Sequence, residues 1–201
     1  MPKVVDEQMR EATRRRIIHE AASEFARLGF DQANINTIAE QAGIGKGTIY
    51  LYFENKRELF LAMLRYIAQS HLATVRSALA IEGTLQQRLE HLFRAFVHLA
   101  EAESDTFNVY MSALYGVNRA FQTEAIKLLR DYVAVITLVL EEGQVRGELR
   151  CASTESVALM ILSLTESFVL SARTLGQSER EIIQQAEKVA QLILKGISEP
   201  L

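Results

Sequence analysis

The sequence has few of the residues that interrupt helices. Only two of its 201 residues are proline, Pro2 and Pro200, and only ten are glycine. A proline inside a helix removes a backbone hydrogen bond and clashes with the preceding turn, so a chain without internal proline can be helical throughout. Tryptophan is absent, and nothing in the composition favours a sheet protein. We therefore predict an all-α fold.

Cysteine is almost absent too. Cys151 is the single cysteine, so no disulfide can form within the chain, which is typical of the reducing cytoplasm. The opening residues, MPKVVDEQMR, contain no apolar signal core. The longest apolar runs, such as Tyr132–Ile136 and Val157–Leu162, are far shorter than the ~20 residues of a membrane span. We therefore expect a cytoplasmic protein without membrane contact.

A strong charge of one sign is also missing, because the formal net charge is only −3. Residues 1–60 hold nine basic and nine acidic residues, and the remainder holds thirteen and sixteen. The placement of the basic residues says more than the sum. The basic residues near the start of the chain and near residue 50 would form one basic face if they converge. They are Lys3, Arg10, Arg14, Arg15, Arg16, Lys46, Lys56 and Arg57. The run Arg14–Arg16 is either a solvated face or a part that approaches DNA.

Motifs for catalysis and metal binding are absent from the sequence. His91 and His98 are two helical turns apart, roughly 10 Å at 1.5 Å per residue, which is too far for one metal ion. The sequence has no Cys-x-x-Cys, no Gly-x-Ser-x-Gly and no Gly-x-Gly-x-x-Gly. The GIGKGT segment at 43–48 is not a phosphate-binding loop, because a glycine separates its lysine from its threonine. We therefore expect no enzyme activity, no metal and no cofactor.

A helix-turn-helix pattern occupies residues 35–53, INTIAEQAGIGKGTIYLYF. The first helix has one apolar face at helical spacing, which is made by Ile35, Ile38, Ala39 and Ala42. Asn34 is a favourable N-cap before this helix, and Gly43 can end it in a left-handed conformation. A second short helix follows Gly45. Two short helices joined by a tight glycine-containing turn are typical of a helix-turn-helix unit.

The second helix carries a cation, hydroxyl donors and tyrosine rings within two turns. Such groups suit phosphates and base edges; the alternative is a small helical hairpin with half-buried tyrosines. The stretch resembles the DNA-binding motif of the tetracycline-repressor (TetR) family almost position by position. The matching positions are Ile38-Ala39, Ala42-Gly43-Ile44, Lys46-Gly47-Thr48-Ile49-Tyr50, Tyr52-Phe53, Asn55-Lys56 and Leu59.

The resemblance covers about residues 10–61 and departs from the family at Gly45, where serine is more common. It implies about nine helices: an N-terminal helix-turn-helix domain and a C-terminal helical domain for ligand binding and dimerisation. It also implies a homodimer that represses transcription by binding palindromic double-stranded DNA. A small apolar or amphipathic effector would release this dimer from the DNA. The expected DNA contacts are Asn36, Gly45, Lys46, Gly47, Thr48, Tyr50, Tyr52 and Lys56.

The clearest internal break is Ile81–Thr84, IEGT. We predict a DNA-binding domain at residues 1–55, a connecting helix at 56–80, and an effector-binding and dimerisation domain at 81–201. The last of these is rich in aromatic residues and methionine, which either line an apolar cavity between helices or simply fill the core. The expected pocket residues are Phe93, Phe96, Phe107, Tyr110, Met111, Leu114, Tyr132, Ile136, Met160, Leu164 and Phe168.

The helix expected at Thr154–Leu175 is apolar nearly all round, so it should be buried nearly all round. A second subunit would supply the missing neighbours through a four-helix bundle with the last helix. Glu166 within it is exposed, paired across the dimer or in contact with the ligand. The expected interface residues are Leu162, Val169, Ile182, Ala186, Val189, Ala190 and Ile193.

The rival interpretation is a helical protein that binds an apolar small molecule and does not act through DNA. Salt-dependent retention on duplex DNA would separate the two functions, because binding that neutralises phosphates weakens as salt rises.

Overall fold

The computed structural model describes the backbone of residues 2–116 and 121–197 and the side chains of 7–116 and 121–196. In these ranges the chain forms ten helices and no strand, which confirms the all-α prediction. The helices are α1 (Pro2–Gln32), α2 (Ile35–Gln41), α3 (Lys46–Tyr52), α4 (Lys56–Leu79), α5 (Leu85–Ala102), α6 (Ser104–Tyr115), α7 (Gln122–Val145), α8 (Thr154–Thr174), α9 (Glu179–Ile183) and α10 (Ala186–Ile197).

The chain forms two compact units. The first unit comprises Met1–Gln69 and Asp105–Ala125, and the second comprises Ser70–Ser104 and Ile126–Leu201. Helix α4 contributes residues to both units, and most of α6 belongs to the first. The predicted boundaries after residues 55 and 80 divide the chain by function into a DNA-binding part, a connecting helix and an effector-binding part. These boundaries remain a prediction.

The first unit is built on α1, which packs on α2, and α2 packs on α3. At Gly29, φ is +71° and ψ is 173°, so the last residues of α1 turn away from its axis. Phe30 then lies against Phe60 and Phe121, with ring centroids 5.4 and 4.6 Å away. These rings lie beside the buried stripe of α1, which includes Ile17, Ile18, Ala21, Ala22 and Phe25.

The second unit is arranged around α5, which contacts α8, α9 and α10. Thr84 begins α5 with a capping box, because its side chain accepts from the Gln87 N–H while the Gln87 side chain accepts from the Thr84 N–H. The buried Arg88 donates to the carbonyl of Leu79 at 2.7 Å and to the carboxylate of Glu142 at 2.6 Å. These bonds connect α5 to the end of α4 and to α7.

The last part of the chain forms two helices where the sequence suggested one. Ser178 and Glu181 form a capping box at the start of α9. α9 ends at Ile183, and α10 begins at Ala186. Because the apolar residues keep a helical period across this break, sequence periodicity alone did not reveal it.

Helix α8 is the one helix in the described part of the chain that is long and apolar enough to cross a membrane. It has 21 residues, and 44% of its most apolar window is buried inside the protein. Its contact with α5 places it in the core of the second unit. Since core helices often meet the same criterion, this property is weak support for a membrane span.

Candidate nucleic-acid interface

Helix α3 is anchored by few of its own side chains. Of its seven residues only Ile49 is buried, while Tyr50 and Leu51 are 45% and 75% exposed. Gly43, at φ +65°, closes the turn from α2, and the Ile44 N–H donates to the carbonyl of Ala39 at 3.0 Å. The tight turn and one inward residue therefore hold a helix whose other side chains remain available to a partner.

Most of the expected DNA contacts lie on the accessible surface of this motif. Asn36, Gly45, Lys46, Gly47 and Tyr50 are exposed, and the other three, Thr48, Tyr52 and Lys56, are half-buried. A Cβ atom built on the glycine at 47 would meet no atom within 4 Å. Packing within the protein therefore does not require glycine there, which leaves close approach of a partner as a possible reason for it.

Lys56 also makes contacts within the protein that the sequence did not indicate. Its ammonium donates to the carbonyl of Asp31 at 3.0 Å and lies 5.0 Å from the centroid of the Phe30 ring. These contacts fix the lysine beside the end of α1. A contact with phosphate remains a prediction for it. The side chain of Lys3, which we expected on the same basic face, lies outside the described residues.

Glu24 is a functional residue that the sequence analysis missed. Its side chain is 1% exposed, and Oε1 accepts from the backbone N–H of Asn34 at 3.1 Å. Oε2 accepts from Nη2 of Arg27 at 2.6 Å. Asn34 in turn caps α2 by accepting from the Asn36 N–H at 2.9 Å. Glu24 therefore fixes the start of α2 on α1. A carboxylate beside the apolar stripe of α1 was the available signal.

The pKa of Glu24 reflects competing effects. Burial acts to raise this pKa. The hydrogen bonds from Arg27 and Asn34 and the positive charges of Arg27 and Lys56 lower it, and together they outweigh burial, so the pKa lies below its usual value. The charged form is therefore the one that the folded structure stabilises.

The expected effector residues are divided between the two units. Phe107, Tyr110, Met111 and Leu114 are buried in the first unit. Phe93, Phe96, Tyr132 and Ile136 are buried in the second, and Phe168 is half-buried there. In the second unit, the rings of Phe93 and Phe168 are 5.5 Å apart, and those of Phe96 and Tyr132 are 5.6 Å apart.

Two of the expected pocket residues lie on the exposed side of α8 instead of in the core. Met160 and Leu164 are 47% and 54% exposed on α8. The buried face of α8 instead includes the polar Thr165 and Glu166, both nearly inaccessible. The apolar residues of α8 lie on more than one side, so the sequence did not define its inward face, which is set by packing against α5. Burial of Glu166 also removes the exposed alternative for this carboxylate.

Most of the expected dimer contacts need correction as well. Leu162, Val169, Ile182, Ala186 and Ala190 are at most 2% exposed within a single protomer. A side chain that is already buried has no surface to offer to a second subunit. Val189 and Ile193 are half-buried and remain available. The exposed apolar residues on these two helices include Met160, Leu164 and Leu192.

Buried polar groups gather in the second unit. His71 is 1% exposed, and its Nε2 lies 3.5 Å from Oε2 of Glu103. Burial lowers the pKa of His71 to about 4, so it is neutral at pH 7. Burial, and then the charges of Glu166 and Glu103, raise the pKa of Tyr132.

A surface groove in the second unit lies elsewhere. It has a volume of about 1050 Å³, runs along α7 and the start of α8, and includes Val133, Leu138 and Leu159. None of the expected pocket residues lines it.

Comparison with known proteins decides the family. Residues 17–63 match the family model of bacterial regulatory proteins of the tetR family, and residues 82–197 match that of the tetracyclin repressor-like C-terminal domain. The chain belongs to the tetR family. It is therefore a DNA-binding transcription regulator with a ligand-responsive C-terminal part, and the family is a regulatory one rather than an enzyme family.

Several relatives align over nearly the whole chain. The fatty acid metabolism regulator protein of Bacillus subtilis (strain 168) is 22% identical over 181 residues, which are 90% of this chain and 93% of that protein. The fatty acid degradation regulator FadR from Bacillus halodurans has a similar structure, with a TM-score of 0.81, 23% identity and coverage of 92% and 95%. FadR from Bacillus subtilis in complex with stearoyl-CoA has a TM-score of 0.79, 22% identity and coverage of 90% and 98%.

The Glu24 contacts predict a pH-dependent loss of stability in Glu24→Gln. At about pH 7 the variant should lose roughly 1–2 kcal/mol of unfolding free energy, because the amide replaces a charged acceptor. The native pKa is lowered, so this contribution is present above the unfolded-state pKa and disappears as the pH falls through the native pKa. Urea unfolding at about pH 7 and about pH 3 measures the difference.

Glu40→Gln, which changes an exposed carboxylate on α2, is the matched control and should leave the stability nearly unchanged. A Glu24→Gln deficit of the same size at both pH values would contradict the assigned role of the charge.

Proposed function

We propose that the protein is a repressor that binds a palindromic operator as a homodimer and is released by a largely apolar effector. The observation that carries the DNA part is the accessible surface of α3, a helix anchored by Ile49 alone of its residues while Lys46 and Tyr50 face outward. The rival interpretation is a small-molecule-binding protein that does not act through DNA. The same surface argues against it, because such a protein would not need an exposed helix of this kind.

Base recognition is assigned to the first turn of α3. Recognition helices contact base edges in the major groove mainly through residues near their N-terminus. Lys46 is the first residue of α3, and its ammonium can donate to the O6 and N7 acceptors of guanine. Thr48 offers a hydroxyl for base edges and a methyl group for thymine. Asn36 on α2 is a further candidate contact.

Backbone contacts are assigned to residues farther along the motif. Tyr50 and Tyr52 carry hydroxyl donors at the end of α3, and Lys56 adds a positive charge at the start of α4. Such contacts fix the register of a protein on the duplex but do not read the sequence. Gly45 and Gly47 would allow the backbone of α3 to approach the DNA closely.

The proposed dimer uses the exposed apolar residues of α8 and α10. Met160, Leu164 and Leu192 are 47%, 54% and 71% exposed in the protomer. Half-buried Val189 and Ile193 lie on α10 with Leu192. Large apolar side chains that cluster at the surface are typical of subunit contacts. Two copies of α8 and α10 would bury them around a two-fold axis as a four-helix bundle.

The proposed effector is an acyl thioester with a long hydrocarbon chain. A structural relative from Bacillus subtilis is described as a complex with stearoyl-CoA. In this chain, the second unit offers the paired rings of Phe93 and Phe168 and of Phe96 and Tyr132 to an apolar chain. An effector that enters between α5 and α8 would have to separate Phe93 from Phe168. The buried Glu166 is a candidate polar contact.

The assignment of base contacts predicts different behaviour for two classes of variant. Lys46→Ala and Thr48→Ala should change the preferred sequence, because each good base contact discriminates by roughly 1–3 kcal/mol. Tyr50→Phe and Lys56→Ala should weaken binding to all duplexes alike. The measurement compares affinity for a duplex selected by the wild type from a random pool with affinity for random duplex, at several salt concentrations.

Arg94→Ala, which removes an exposed arginine from α5, controls for the loss of one positive charge and should bind as the wild type does. The base-reading role is wrong if Lys46→Ala binds the selected and random duplexes in the wild-type ratio.

The proposed dimer predicts that Leu164→Glu gives monomers, because two carboxylates would face each other across the two-fold axis. The matched control is Val145→Glu, which introduces the same charge at the end of α7, where the side chain is 89% exposed. Sedimentation at micromolar protein concentration should show a dimer for the wild type and Val145→Glu. A monomeric wild type, or an intact Leu164→Glu dimer, would refute this interface.

A further inference from the structure

Helix α1 places two arginines beside the end of the recognition helix. The guanidinium carbon of Arg10 lies 5.9 Å from the centroid of the Tyr52 ring, and that of Arg14 lies 5.5 Å from the centroid of the Phe53 ring. The two arginines are four residues apart, so they lie on one face of α1. Arg10 is exposed, whereas Arg14 is half-buried. One turn of α1 is thus stacked on the last residue of α3 and the residue that follows it.

The charges of these two arginines are not neutralised by carboxylates of the described side chains, residues 7–116 and 121–196. Neighbouring arginines of α1 differ in this respect. Arg15 pairs with Glu11 at 3.2 Å, and Arg27 pairs with Glu24 at 2.6 Å. Arg10 and Arg14 instead contact aromatic rings, which restrict the guanidinium without using its N–H donors. Among the described side chains, no carboxylate engages the donors of Arg10, and the residue is exposed.

We propose that Arg10 binds a DNA phosphate next to the groove that α3 enters, and that Arg14 is a positioning residue for the same turn of α1. This inference rests on the proposed DNA-binding function and extends its interface to a helix outside the helix-turn-helix motif. Tyr52, on which Arg10 stacks, is itself assigned to the DNA backbone, so the guanidinium lies where a phosphate is expected.

The chemistry of Arg10 suits this partner. A guanidinium offers a planar set of donors that can engage two phosphate oxygens at once. The ring beneath it holds that plane in one orientation, so less side-chain freedom is lost on binding than for an unrestrained arginine. The contact carries no sequence information, because it involves the backbone alone. Within the Arg14–Arg16 run, Arg14 contacts the Phe53 ring, whereas Arg15 pairs with Glu11.

The test measures affinity against salt concentration for the full-length wild type, Arg10→Ala, Arg10→Gln and Arg15→Ala. Loss of one phosphate contact lowers the slope of log affinity against log salt by about 0.9, so a dimer that loses two contacts should show a change of about 1.8. Affinity at low salt should fall roughly tenfold or more. The ratio of selected to random duplex affinity should not change, in contrast to Lys46→Ala. Arg15→Ala should retain the wild-type slope.

Two results would overturn the proposal. One is a wild-type slope and affinity in both Arg10 variants while Lys46→Ala loses its preference; the DNA-binding function would then stand without this contact. The other is a changed duplex ratio in Arg10→Gln, which would make Arg10 a base-reading residue. Thermal unfolding identifies any variant that fails to fold. If Arg10→Ala does not fold, the salt dependence is measured on Arg10→Gln, which keeps most of the stem over Tyr52. A wild type without salt-dependent DNA binding would instead refute the proposed function itself.

Discussion

The buried carboxylate of Glu24 fixes the part of the molecule on which DNA recognition depends. It accepts from the backbone of Asn34 at 3.1 Å, and Asn34 is the residue that begins α2. Because a short turn at Gly43 joins α2 to α3, the orientation of α3 follows from that of α2. Helix α3 buries only Ile49 and therefore contributes little to its own placement. A polar contact in α1 thus helps to determine where Lys46 and Thr48 point.

The second unit shows a different balance between polar and apolar burial. Helix α8 turns Thr165 and Glu166 into the core and leaves Met160 and Leu164 at the surface. Burial of an ionisable group costs free energy unless it is paired or hydrogen-bonded, so such groups are often retained for function. The outward apolar residues are also unfavourable in an isolated protomer. A subunit that covers Leu164 would account for the outward apolar residues.

Much of the fold could be predicted from sequence because its signals are local. Asn34 forms the expected cap of α2, and Asn55 begins α4 by accepting from the Glu58 N–H at 2.9 Å. The orientation of α8 could not be predicted in the same way. Its apolar residues surround the helix, so the pattern defines no single inward face, and contact with α5 decides it. Glu24 was missed because one of its partners, the N–H of Asn34, lies in the backbone, so the sequence does not show which carboxylate reaches it.

In the proposed mechanism, effector binding and operator binding oppose each other in one protein. Linkage requires each ligand to weaken the other by the same factor, commonly 5–150-fold. The direct measurement is a calorimetric titration of stearoyl-CoA into the free dimer and into the dimer saturated with its selected duplex, with coenzyme A lacking the acyl chain as the control. We expect weaker stearoyl-CoA binding to the DNA complex and no binding of the control. Equal affinities in the two titrations would contradict effector-driven release.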